Sequence, residues 1–100
     1  MGRKLPPKEL ELYKRCDEVL HYIWDPIGVA GAPGARTEYH SYLPQVFALV
    51  RDESDADQIV EYLTMVEEKR MGLAANKERA RAAVDRLLQW REWIWEYPPQ

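Results

Sequence analysis

The chain has 100 residues, 46% of them hydrophobic and 31% charged, which suits one globular domain with a single core and excludes a disordered chain. A net charge of -3 and a pI near 5.4 argue against general nucleic-acid binding. No apolar run approaches the roughly 20 residues of a membrane span.

The first eight residues are basic, but no apolar segment follows them, so they do not read as a signal peptide. Cys16 is the single cysteine, which rules out an internal disulfide and points to a reducing cytoplasm.

Helix 1 is expected to begin near Pro6-Pro7, since proline suits a first helical turn. Leu12, Tyr13, Cys16, Val19, Leu20, Ile23 and Trp24 recur at three- and four-residue steps and share one face. Pro26 stops the helix by excluding the residue before it from the helical region. Residues 25–36 then read as a loop with Gly28, Gly31, Gly34, Pro26 and Pro33. Its apolar members Ile27, Val29 and Ala30 are expected to fold back over the core.

A second helix is expected over 38–51, with Tyr39, Tyr42, Leu43, Val46 and Val50 as its stripe. Pro44 is easiest to accept if the main helix starts at Ser41 or Tyr42. The third is expected over 55–70, capped by Ser54 or Asp55 and ended by Gly72. Ala56, Ile59, Val60, Leu63 and Val66 make its inner face. A fourth follows the N-cap Asn76 and reaches about Glu96, before Pro98-Pro99, with Ala80, Ala83, Val84, Leu87, Trp90 and Ile94 inward. No strand or hairpin pattern competes. The fold class is therefore all-α: one domain over 1–100, a four-helix, bundle-like fold with a long Gly/Pro loop between helices 1 and 2. Residues 1–5 and 97–100 are expected to be flexible tails.

The most specific block is Trp24-Asp25-Pro26-Ile27-Gly28-Val29, followed by Glu38-Tyr39. It resembles the small bacterial helical family known as domain of unknown function 1871. There a Trp-Asp-Pro turn closes the first helix and a Pro-x-Asp-Glu-Tyr segment opens the second. Pro33 to Tyr39 stands in that second place, with Thr37 where the family has Asp. The resemblance covers residues 16 to about 66, and Met71-Gly72-Leu73 looks like the family's ending of the third helix. It implies an all-helical fold in a bacterial cell and no established activity.

Within this block, Trp24, Asp25, Arg36, Glu38 and Tyr39 form a candidate cluster. Asp25 is suited to accept backbone N–H bonds in its own turn. Arg36 is placed to pair with Asp25 or Glu38 and staple the loop, or the group lines a small polar pocket.

Catalytic signals are sparse. Cys16 lies on the apolar face of helix 1, as a core residue would. His21 follows Asp17 by four residues, so the two share a helix edge; His40 is the other histidine. No spacing supplies the further ligands of a metal site, and no hydrolase, phosphate-loop or Cys-x-x-Cys motif is present. The expectation is a protein that is not an enzyme and carries no cofactor.

Two features point outward instead. Asp52, Glu53, Asp55, Asp57, Glu61, Glu67 and Glu68 follow one another without an intervening Lys or Arg. Asp55 and Asp57 suit a helix N-terminus. Glu67 and Glu68 do not, and with Asp55, Asp57 and Glu61 they suggest an acidic face for a basic protein partner. Trp90, Trp93, Trp95 and Tyr97 cluster near the C-terminus, and Trp93 falls on the polar side of helix 4. Either Trp93 packs over Arg86 or Gln89, or it anchors a contact. The leading expectation is a small acidic protein-binding module, in concrete form an immunity or antitoxin-like protein that occludes a basic bacterial toxin. A homodimeric accessory protein and a small-molecule binder using the Trp-Asp-Pro pocket are the alternatives.

Overall fold

A computed structural model describes residues 5–96, so Tyr97 and all but Leu5 of the expected tails lie outside the described residues. Helix α1 spans Pro7–Val19, α2 Leu43–Arg51, α3 Ala56–Met65 and α4 Lys77–Glu96. No strand occurs among the described residues. α4 packs against both α1 and α3, and α2 covers α1. The buried apolar residues form one cluster, drawn from all four helices, from Leu20, Trp24 and Val66 just beyond the ends of α1 and α3, and from Tyr39 of the loop.

Pro6 caps α1 and Pro7 is its first residue, where the missing N–H costs no bond. Leu12, Cys16 and Val19 are buried on its inner face. The helix does not end at Val19 but widens into a π turn, Leu20–Trp24, closed by the Asp25 N–H on the Leu20 carbonyl at 3.0 Å. Asp25 then takes a left-handed conformation, φ 29°.

α2 begins at Leu43, five residues after the expected bound at 38 and one after Tyr42, close to the start that Pro44 favours. Residues 37–42 form successive three-residue turns, with N–H bonds from His40 to Thr37 and from Tyr42 to Tyr39. Pro44 accounts for this. It has no N–H to return to the carbonyl four residues back, so it fits only in the first turn of the helix. Leu43 instead bonds to His40 at 3.3 Å.

The third helix starts with a complete capping box. Asp55 Oδ1 accepts the Gln58 N–H at 2.8 Å, and Gln58 Oε1 accepts the Asp55 N–H at 3.0 Å. It too ends in a π turn, Val66–Arg70. Asn76 Oδ1 accepts the Arg79 N–H at 2.9 Å and opens α4.

Candidate functional site

The Trp-Asp-Pro block is a loop anchor. Asp25 Oδ1 accepts N–H groups from Gly28 and Val29, and Oδ2 accepts that of Ala30, at 2.8–3.1 Å. Gly28, at φ +80°, supplies the turn that aims these donors back at the carboxylate. Tyr39 donates its hydroxyl to Asp25 Oδ1 at 2.6 Å, and its oxygen accepts the Ile27 N–H at 3.0 Å. Partial burial alone would raise the Asp25 pKa. The hydrogen bonds from Tyr39, Ala30, Val29 and Gly28 outweigh it and hold the carboxyl below the usual carboxylate range. Burial and the bond to Asp25 push the Tyr39 phenol well above its ordinary value. Trp24 is fully buried, with its ring 5.4 Å from that of Tyr39.

Arg36 does not pair with Asp25 or Glu38. Its two terminal nitrogens donate to both oxygens of Asp17 on α1, at 2.9 and 3.2 Å. The donors of the Asp25 turn already occupy that carboxylate, whereas both oxygens of the half-buried Asp17 carboxylate are within reach of Arg36. His40 Nε2 lies 3.0 Å from Asp17 Oδ1, so Asp17 gathers two loop side chains. The Arg36 guanidinium also sits 5.4 Å over the Tyr22 ring. Glu38 is exposed.

The helix-edge pair of Asp17 and His21 does not form. His21 is 4% exposed inside the π turn, edge-on to Tyr22 at 4.5 Å, and its Nδ1 has no partner among the described residues. Ile27 is 46% exposed rather than folded inward, whereas Val29 packs against the core. Cys16 is fully buried, as its helix phase requires.

The acidic stretch divides. Asp55 is committed to its capping box, and Asp57 accepts a bond from Arg81 of α4 at 2.6 Å. Asp52 is held by Arg51. Glu61 and Glu68 are exposed. Glu67, read from the sequence as part of the exposed acidic face, has no exposed surface at all. Its Oε2 accepts the Trp24 indole N–H at 2.9 Å, its Oε1 accepts the Asn76 N–H at 3.0 Å, and Arg79 Nη2 lies 3.7 Å from Oε1. Sequence contained the signal: Glu67 follows Leu63 by four residues and Val60 by seven, in step with the apolar stripe.

The outer side of α4 carries the other candidate. Trp93 is 55% exposed and Trp95 43% exposed, on either flank of buried Ile94. Trp90 is half-buried, with the Arg15 guanidinium 4.9 Å over its ring. Glu11 and Glu18 hold Arg15 in that pose. Arg86, Gln89, Trp90 and Trp93 line an open hollow of about 380 Å³. A larger groove of about 870 Å³ lies between α3 and α4, lined among others by Val60, Thr64 and the charged pair Asp57 and Arg81. No group of three His, Cys, Asp or Glu side chains among the described residues is placed to hold a metal ion. No helix among them is long and apolar enough to cross a membrane.

No family model matches the chain, and neither a curated protein nor a solved structure gives a significant match.

Proposed function

We propose that this chain is a protein-binding module that acts through the outer face of α4. The observation that carries this reading is Trp93. A tryptophan ring more than half exposed, at the rim of a hollow that it lines with Trp90 and Arg86, has the chemistry of a binding anchor. Aromatic and arginine side chains are the types that binding surfaces favour.

An immunity or antitoxin-like protein that blocks a basic toxin is the narrower form of this reading. It draws its electrostatic support from Glu61 and Glu68, because Asp57 is met by Arg81, Asp55 caps its helix and Glu67 is interior. The Trp-Asp-Pro resemblance is likewise our proposal of kinship, and it adds no activity.

The test is affinity capture from an extract of cells that encode the chain, using the wild-type protein, Trp93→Ala and the double variant Glu61→Lys/Glu68→Lys. Melting curves confirm that each variant is folded. The expected result is a captured protein that is lost with Trp93→Ala; weaker capture with the double variant as well would support the narrower basic-toxin form, and undiminished capture would set that form aside. Loss with the double variant alone would move the interface to the acidic side. An identical captured set with all three proteins would overturn the reading.

A further inference from the structure

We propose that the occupant of the α4 face is a second copy of this chain, paired antiparallel about a two-fold axis beside Arg91. The inference rests on the reading of that face as a contact surface and names its partner. Four residues line the hollow: Arg86, Gln89, Trp90 and Trp93. Their spacing is i, i+3, i+4, i+7, which is the four-residue hole that receives one side chain of a facing helix in a coiled coil.

The stripe around this hole is self-complementary. Ala82, Arg86, Gln89, Trp93 and Glu96 are all exposed and follow one another at four- and three-residue steps, the repeat of a coiled-coil seam. Arg86 and Glu96 lie five residues either side of position 91, and Gln89 and Trp93 lie two either side. A two-fold axis at 91 therefore sets Arg86 against Glu96 of the second copy, and Trp93 against Gln89, inside the hole. Each contact occurs twice, as an isologous interface requires. Arg91 itself points away from the seam, with its Nη1 donating to the Val50 carbonyl at 3.0 Å. The seam is polar apart from Ala82 and Trp93, and Glu92 beside the axis meets its own counterpart. Polar seam positions of this kind fix register at the expense of affinity, so the pairing is weak and concentration-dependent.

Sedimentation of the purified full chain, from dilute to near-millimolar solution, tests the proposal. The wild type is expected to show a reversible monomer–dimer equilibrium. Arg86→Glu and Glu96→Arg should each weaken it by about tenfold, because like charges then face each other twice. The double variant Arg86→Glu/Glu96→Arg should restore the dimer, since the swap rebuilds the same pair. Circular dichroism and melting verify that each variant is folded. A wild type that stays monomeric throughout, or a double variant no better than the singles, would overturn the proposal. Monomeric protein with Trp93-dependent capture intact would remove the second copy and leave the contact-surface reading standing.

Discussion

The Trp24 indole N–H meets the Glu67 carboxylate at 2.9 Å, and neither side chain has any exposed surface. Each belongs to a π turn, one at the end of α1 and the other at the end of α3. The second Glu67 oxygen takes the backbone N–H of Asn76, the residue that caps α4. One buried carboxylate thus ties together two helix ends and one helix start. An interior carboxylate is tolerable only when its oxygens are satisfied, and here the indole, the amide and the nearby Arg79 guanidinium do that.

Glu67→Ala should therefore be among the most damaging single changes. It would leave the buried Trp24 indole N–H and the part-buried Asn76 N–H without their acceptor and remove the carboxylate beside Arg79, at a cost of about 2 kcal/mol or more. Trp24→Phe keeps an aromatic side chain but is smaller and lacks the N–H, so it leaves a cavity and an unpaired Glu67 oxygen and should cost at least about 1–3 kcal/mol. Urea denaturation of the two variants measures both effects. A loss below about 1 kcal/mol for Glu67→Ala would show that the carboxylate is not a structural tie.

The helix phases and caps were legible because they are local. Asp55 with Gln58, Asn76 with Arg79, and the burial of Cys16, Leu63 and Leu87 all follow from spacing within a few residues. The Asp25 turn was legible for the same reason. Arg36 with Asp17 joins residues 19 apart, and no periodicity points to that pair. The π turns lack a spacing signature of their own. Glu67 was misread for a different reason: its charge outweighed its position on the apolar stripe. The outward placement of Trp93 was legible because it falls opposite Ala80, Ala83 and Leu87 on one regular helix.

Cys16 should be inert in the native state. Burial, with the adjacent Asp17 carboxylate adding to it, pushes its thiol up to about 12, so almost no thiolate exists at neutral pH. A thiol reagent should label it slowly in buffer and rapidly in denaturant. The native labelling rate should track global unfolding rather than local fraying, because Cys16 is fully buried and the helix continues beyond it through the Leu20–Trp24 π turn. Fast labelling of folded protein would mean that α1 opens independently of the core.

Glu53 ends α2 in a conformation that favours glycine, with φ +62°. The Ser54 N–H reaches the Leu49 carbonyl at 3.0 Å, and the Glu53 N–H reaches that of Val50 at 3.2 Å. Those two bonds define the helix ending in which the left-handed residue is usually glycine. Glu53→Gly should relieve the strain and stabilise the protein by about 0.5–1 kcal/mol, less whatever the added chain entropy removes. A higher urea midpoint at unchanged denaturant sensitivity is the expected signature. A lower midpoint would mean that the Glu53 side chain contributes more than its backbone strain costs.

Asp25 should make stability depend on acid. Its pKa is depressed in the folded state, so the unfolded chain binds the proton first, near the ordinary carboxylate pKa of about 3.9. The contribution from the ionised group is then fully present above about pH 4 and is lost as pH falls through the lower folded pKa. Asp25→Asn cannot ionise and lacks one of the two oxygens that receive Gly28, Val29, Ala30 and Tyr39. At neutral pH it should cost about 1–3 kcal/mol. Below pH 4 the gap between variant and wild type should narrow, because the wild-type carboxylate is itself being protonated. Melting curves of both proteins from pH 7 to acid provide the comparison. A gap that stays constant across that range would show that the Asp25 turn is held by shape alone, without a contribution from its charge.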